Sequence, residues 1–145
     1  MSTTERERIT LGQIAVEFLA TGAETGGHAD VFEVTVAPGA RVPVAHHHID
    51  IDELVLGLEG VMTMTVGGVV QELRAGDRVL APRGVVHHFA NLHDTPARTL
   101  TVSTPGTLGP KYFRAIAELI AAGGPPDPAR LRAVMLEHGL VAVAS

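Results

Sequence analysis

The chain has 145 residues, of which 46% are hydrophobic and 19% charged, and its formal net charge is −5. This length and composition predict one folded domain with a hydrophobic core and argue against disorder. The single lysine and the scattered arginines form no basic stripe for nucleic acid, and no apolar run approaches the ~18 residues of a membrane span.

The absence of cysteine limits the kind of metal site that the chain can build. It excludes disulfides and thiolate ligands, so any transition metal must be held by imidazole and carboxylate groups. The polar start of the chain, MSTTERERITLG, contains no apolar leader segment. We therefore expect a soluble, cytoplasmic protein that binds neither nucleic acid nor membranes.

The first two thirds of the chain have the pattern of an all-β protein. From about Ile9 to Ser103 the sequence is rich in Val, Leu, Ile and Thr and is broken every ~8–12 residues by Gly, Pro, Asn or Asp, which is typical of a sandwich or barrel. Gly67-Gly68, between VMTMTV and VVQEL, predicts a two-residue hairpin turn, because glycine adopts the positive φ that such turns need.

After residue 104 the hydrophobic period changes to that of a helix. Phe113, Ile116 and Ile120 fall on one face of a predicted helix, with Tyr112 and Leu119 beside them. The helix is predicted to end at Gly123-Gly124-Pro125-Pro126. A second predicted helix follows, with Asp127 as its N-cap. We expect the apolar stripes of both helices to pack against the barrel or a second subunit.

Six of the eight histidines fall into two clusters, at positions 46, 47, 48, 87, 88 and 93. Alternate side chains of a strand share a face, so His46 and His48 can point the same way while His47 points to the other side. With a short bend Glu53 can join them, and His87 can come from a neighbouring strand. Three imidazoles and a carboxylate suit Fe, Mn, Ni, Co or Zn, and are too rich in nitrogen for Ca²⁺ or Mg²⁺.

The spacing of these residues resembles that of the cupin superfamily. The first cupin motif is matched, with one additional residue after its first glycine, by Gly39, His46, His48, Glu53 and Gly60. The second is matched by Gly76, Pro82, Gly84, His87 and Asn91. The resemblance covers residues 30–104. More loosely, the whole chain is similar to small single-domain bacterial cupins that are often labelled quercetin-dioxygenase-like.

The resemblance implies a fold, a domain organisation and an assembly. The fold is all-β, a double-stranded β-helix (cupin jelly-roll barrel) with two short C-terminal α-helices. The barrel occupies residues 1–104 around a motif core at 30–104. Residues 105–145 form a C-terminal helical extension packed on the barrel or on a dimer partner. A homodimer is the expected assembly.

The resemblance also implies the residues of the site. The metal ligands are His46, His48, Glu53 and His87, and Glu53 could also take a proton during catalysis. Inward strand positions give five candidates for the substrate pocket: Phe32, Val55, Met62, Met64 and Phe89. We expect His47 and His88 to face away from the metal. Asp52 is either a solvated residue at a strand edge or an acceptor for a ligand histidine.

Three functions remain open on this basis, each with a small-molecule ligand at a divalent transition metal. The leading one is a dioxygenase-like oxidoreductase that acts on a small oxygenated organic substrate. The second is a non-oxidative enzyme (isomerase, cyclase or hydrolase) whose metal acts as a Lewis acid. The third is a non-catalytic binding protein. Aromatic residues make up only 3% of the chain, so a flavonoid-stacking platform is not expected.

Overall fold

The structure, a computed structural model, describes residues 5–42, 44–121, 123 and 126–143. Within these residues two helices, α1 (Gly109–Ala121) and α2 (Pro128–Glu137), follow ten strands and precede one more. The strands are β1 (Arg8–Leu11), β2 (Ile14–Ala20), β3 (Asp30–Val36), β4 (His46–His48), β5 (Asp52–Glu59), β6 (Met62–Val66), β7 (Val69–Leu73), β8 (Arg78–Ala81), β9 (His87–Ala90), β10 (Ala97–Thr104) and β11 (Leu140–Ala142). Neither described helix is both long and apolar enough to span a membrane.

The strands form two antiparallel sheets, as the sequence predicted. The six-stranded sheet has the order β1-β2-β3-β10-β5-β8, and the five-stranded sheet has the order β11-β4-β9-β6-β7. The predicted hairpin joins β6 to β7, with Gly67 and Gly68 at φ 58° and 81°. Inward side chains of both sheets belong to one hydrophobic core, which is the arrangement of a double-stranded β-helix jelly roll.

The central strands bury every second side chain, because successive residues of a strand point to opposite faces. On β3 the inward positions beyond Asp30 are apolar. On β10 three inward positions carry hydroxyls instead, at Thr99, Thr101 and Ser103. The six-stranded sheet therefore contributes a polar row to an otherwise apolar interior, and Ser103 lies directly opposite Glu53 of β5.

Both predicted C-terminal helices are present and pack on the barrel. Helix α1 contacts β1, and the side chain of Asp127 caps α2 by accepting from Ala129 N at 3.0 Å. The predicted stop at Gly123-Gly124-Pro125-Pro126 lies partly outside the described residues. The buried face of α1 is rotated from the predicted one: Tyr112 is buried, whereas Phe113 is only half-buried.

The sequence analysis did not anticipate strand β11. It pairs antiparallel with β4, so that Leu140 lies opposite His48 and Ala142 opposite His46. Residues 105–145 are therefore helical only in part, since their last strand completes the sheet that carries the histidines. Three residues are too few to show a period of two, which explains why no strand could be predicted here.

Candidate metal site and cavity

Two pairs of opposed residues, one in each sheet, build the candidate site. His46 of β4 lies directly opposite His87 of β9, and their ring centroids are 4.7 Å apart. His48, two residues along β4, shares the face of His46 and is equally buried. The ligand atoms of these three histidines all lie within 4.8 Å of one another, close enough to bind one metal ion.

The second pair is Glu53 and Ser103. Opposed side chains of adjacent antiparallel strands lie within contact distance, and here Ser103 Oγ donates to Glu53 Oε2 at 3.0 Å. The other oxygen, Oε1, lies 2.9 Å from His48 Nε2 and 3.2 Å from His87 Nε2. The geometry thus brings together the nitrogen atoms of three histidines that could bind a metal, and it places the Glu53 carboxylate against two of these histidines.

The Nδ1 atoms of two histidines face backbone carbonyls. His46 Nδ1 lies 3.0 Å from Val44 O, and His87 Nδ1 lies 3.4 Å from Val85 O. A proton on Nδ1 would leave the Nε2 lone pair free for a metal, and such backbone contacts commonly orient metal-binding histidines. The buried Nδ1 of His48 has no partner among the described residues. This donor set fits a divalent transition metal, because it offers neutral imidazole nitrogen beside a carboxylate.

Burial and mutual contact set the charges at the site. Burial, assisted by the nearby His87, lowers the pKa of His46 to about 4, so this imidazole is neutral at physiological pH. Burial by itself raises the pKa of Glu53, but hydrogen bonds from His48 and His87 outweigh that effect and hold the pKa well below its usual range. His46 and Glu53 therefore have the protonation states that metal binding requires.

The histidines open onto a cavity of about 380 Å³ inside the barrel. Its wall is formed mainly by hydrophobic side chains from both sheets. All five pocket residues expected from the sequence lie on this wall: Phe32, Val55, Met62, Met64 and Phe89. The volume suits a small organic molecule, since ligand pockets commonly measure ~300–1,000 Å³.

Three side chains that the sequence analysis did not assign to the site or the pocket also belong to this region. Ser103 holds Glu53, and the period-two row of hydroxyls on β10 was a signal that could have identified it. Tyr112 and Phe113 of α1 line the cavity, although both had been assigned only to packing. The helical period cannot distinguish a residue that packs against the core from one that borders a cavity.

The remaining polar residues of the two motifs have structural roles. Asp52 forms an ion pair with Arg83 at 2.9 Å and accepts from Arg83 N, so it is held at the surface and contacts no ligand histidine. Within the described residues, neither His47 nor His88 lines the cavity. Asn91 is completely buried and donates to Val36 O and Thr95 O, so it ties the bend after β9 to β3.

Residues 32–103 match the family model of the cupin domain. The chain belongs to the cupin superfamily. In this cupin the matched residues contain His46, His48, Glu53 and His87, whereas Tyr112 lies beyond them.

Solved structures resemble this cupin over most of its length. A sugar phosphate isomerase of the cupin superfamily from Silicibacter pomeroyi is 27% identical, with a TM-score of 0.58 over 69% of this chain and 70% of that one. A predicted oxalate decarboxylase from Thermotoga maritima is 22% identical, with a TM-score of 0.63 over 70% of this chain and 92% of that one. KdgF from Halomonas sp. is 16% identical, with a TM-score of 0.61 over 72% of this chain and 94% of that one. The last two show the fold alone, and no curated protein matches the sequence.

Proposed function

We propose that this cupin is a metal-dependent enzyme of the dioxygenase-like type, acting on a small oxygenated organic substrate. The observation that carries this proposal is the cluster of three buried histidines, with Glu53 against two of them, at the wall of a largely apolar cavity. His46, His48, Glu53 and His87 would hold the metal. Fe, Mn, Ni, Co and Zn all accept this donor set.

A divalent metal bound at these residues would supply Lewis acidity and, for a redox metal, chemistry with O₂. The protein supplies the donors and their orientation. The Nε2 atoms of His48 and His87 can each donate a proton to Glu53 or offer a lone pair to a metal, but neither atom can do both. Metal binding therefore requires His48 and His87 to carry their ring protons on Nδ1, and for His87 the carbonyl of Val85 is in place to accept.

Glu53 is the residue that we assign to proton transfer. Its Oε2 stays with the Ser103 hydroxyl, while Oε1 faces the histidines. In the metal-free protein the hydrogen bonds from His48 and His87 keep Glu53 ionised, and the charge of a bound divalent metal would do the same. The Oε1 atom is then the base closest to an enol or a hydroxyl brought against the histidines.

The cavity wall supports a proposal for the class of substrate. Its apolar wall favours a molecule with a hydrocarbon body and excludes bulk water, which protects reactive species from hydrolysis and proton leakage. A divalent metal with three neutral imidazoles and one carboxylate has a net charge of +1, so an enolate or carboxylate oxygen is the preferred ligand. Enolisable diketones and apolar 2-oxo acids satisfy both conditions.

The test of dioxygenase activity is oxygen uptake by the protein loaded anaerobically with Fe(II). We expect uptake that depends on both protein and a diketone, and we expect the His87→Ala variant to lose it while His88→Ala retains it. The neighbouring His88 is a matched control because it lies outside the cavity. The oxygenase assignment would be overturned if neither diketones nor flavonols caused oxygen uptake with Fe, Mn, Ni or Co.

One observation favours a second candidate, a non-oxidative isomerase. The similar structure from Silicibacter pomeroyi, at 27% identity, is described as a sugar phosphate isomerase. In this case Glu53 would move a proton between neighbouring carbons of a carbonyl substrate, and a metal held by the histidines would supply Lewis acidity. Turnover of a 2-hydroxy ketone by the Zn(II) protein, unchanged when O₂ is removed, would favour this candidate over the first. The mainly apolar wall fits a sugar phosphate poorly.

We also propose that the protein is a cytoplasmic homodimer. Strand β7 lies at the edge of its sheet and exposes Val69 and Val70, 59% and 64% accessible, which is an unusual surface for an isolated edge strand. Light scattering after gel filtration should give the mass of a dimer, and Val70→Lys should shift it toward the monomer. A monomeric wild-type protein at micromolar concentration would contradict the dimer.

A further inference from the structure

Helix α1 forms part of the cavity wall, although it lies outside the residues that match the cupin domain. Four of its side chains line the cavity: Tyr112, Phe113, Ile116 and Ile120. Three of them are apolar. Tyr112 is therefore the polar group that this helix presents to the bound molecule.

The start of α1 is tied to the barrel by a buried carboxylate. Asp30, at the first position of β3, has no accessible surface. Its Oδ2 accepts from Gly109 N at 3.0 Å, and its Oδ1 accepts from Gly22 N at 2.7 Å. Gly109 is the first residue of α1, so the helix is held at a defined distance from the strand that carries Phe32.

Aromatic contacts fix the ring of Tyr112. It packs edge-on against Phe113 at 5.1 Å and against His138 at 5.3 Å, measured between ring centroids. Phe113 in turn packs edge-on against Phe18 and Phe32 of the barrel, at 5.7 and 5.3 Å. Such edge-to-face pairs restrict the rings they join, and the phenol therefore has a defined position at the cavity.

None of the hydrogen bonds between described residues involves the hydroxyl of Tyr112, and this oxygen is not one of the fully buried polar atoms without a partner. The hydroxyl of this cavity-lining residue is therefore accessible and free to donate to a bound molecule. Burial and the negative charge of Glu53 raise the pKa of Tyr112, which keeps the phenol protonated at physiological pH. Tyr112, Glu53 and the three histidines all line the same cavity.

We propose that the Tyr112 hydroxyl donates a hydrogen bond to an oxygen of the bound substrate and thereby fixes the orientation of the substrate over the histidines. The inference rests on the proposed function, because it takes the substrate to lie at the metal site. It narrows the substrate class to small, mainly apolar molecules with one oxygen group for the metal and another hydrogen-bond acceptor. Thr99 and Thr101 also line the cavity, but α1 supplies the donor from outside the cupin domain.

Tyr112 can be observed directly, because the chain contains one tyrosine and no tryptophan. Intrinsic fluorescence of the full-length protein therefore reports on this phenol alone. The probes are straight-chain 2-oxo acids from pyruvate to 2-oxooctanoate, titrated into protein loaded with Zn(II), which is silent in the spectrum. We expect at least one probe to change the tyrosine emission, and the longer acids to bind more tightly than pyruvate.

The Tyr112→Phe variant removes the donor and keeps the ring that packs against Phe113. Calorimetry should show the dissociation constant of the responding acid raised about tenfold, which corresponds to one hydrogen bond to a charged or carbonyl oxygen. Zinc content and thermal midpoint should match those of the wild type. A purely structural role would change the midpoint and leave the dissociation constant unaltered.

The outcome that overturns this inference is a protein that binds Zn(II) normally while no acid in the series alters the tyrosine emission. Equal dissociation constants for wild type and Tyr112→Phe overturn it as well. The same titration of metal-free protein distinguishes a failure of the Tyr112 inference from a failure of the proposed metal-dependent function. The chain could fail to bind metal while an acid still changes the tyrosine emission and binds more weakly to Tyr112→Phe. In that case the metal assignment fails and the role of Tyr112 stands.

Discussion

Ser103 is the residue whose role depends most directly on strand register. It is completely buried, and its hydroxyl bonds the oxygen of Glu53 that faces away from the histidines. Ser103→Ala should lower the free energy of unfolding by about 1–2 kcal/mol, because it leaves a buried carboxylate oxygen without its donor. Metal affinity should fall roughly tenfold, as is typical when a group that orients a ligand is removed.

Urea denaturation and zinc titration measure these two quantities. Thr104→Ala is the matched control, since Thr104 is the exposed neighbour on the same strand. If Ser103→Ala and Thr104→Ala have equal zinc affinity, Ser103 does not orient Glu53.

His46 makes the stability of the metal-free protein depend on pH. Its pKa is about 4 in the folded chain, below the ordinary value of 6.5, so the unfolded chain binds more protons between these values. Stability is therefore complete above pH 6.5 and is lost as the pH falls toward 4. Between pH 7 and pH 5 this group should contribute a loss of about 2 kcal/mol.

The measurement is urea denaturation at both pH values, in the presence of a chelator, for wild type and His46→Gln. The variant should lose less stability on acidification, since glutamine does not titrate. Identical losses in the two proteins would show that His46 is not held neutral by burial.

Individual residues of the site could be predicted from the sequence where a motif fixes their spacing. The alternation of His46 and His48 about His47, and the placement of His87 on an adjacent strand, follow from the period of two and from the turn at Gly84. The partner of Glu53 could not be predicted, because the register between β5 and β10 is set by contacts across about fifty residues of sequence.

Strand β11 contributes no proposed metal ligand, but it pairs with the strand that carries His46 and His48. It covers the edge of β4, with Ile49 N donating to Gly139 O and Val143 N donating to Ala45 O, both at 2.9 Å. Leu140 is 1% exposed, so Leu140→Ala should cost about 2–4 kcal/mol by leaving a cavity.

The Leu140→Ala variant should also bind zinc more weakly, because Leu140 lies opposite His48. Leu136→Ala is the control for the same chemical change, since Leu136 is 60% exposed and its loss should cost less than ~0.5 kcal/mol. Chemical denaturation and zinc titration of both variants test the link. A destabilised Leu140→Ala protein with unchanged zinc affinity would show that β11 supports the fold and not the site.

At this scale the sequence predicted elements whose signals are local. The β6–β7 hairpin, the barrel strands and the cap of α2 depend on glycine, alternation and an N-cap residue, each readable within a few positions. The β4–β11 pairing and the rotation of α1 depend on contacts between distant segments. Local periodicity carries no information about those contacts.

Across the described residues, the two sheets and helix α1 together enclose the cavity that contains the histidines. The cupin domain supplies the histidines, Glu53 and most of the wall, and α1 supplies Tyr112 and the apolar side chains beside it. Under the proposed function, this division would separate the metal site from a source of substrate specificity. The residues that match the cupin domain include the proposed ligands but none of α1, so the family resemblance carries no information about this part of the wall.

The central claim is that His46, His48 and His87, with Glu53, hold a divalent metal. Its most direct test is elemental analysis of protein purified without added metal, comparing wild type with His87→Ala and with the neighbouring control His88→Ala. We predict about one equivalent of a transition metal per chain in the wild type and in His88→Ala, and nearly none in folded His87→Ala. Equal metal contents in all three proteins, or none in any, would contradict the account.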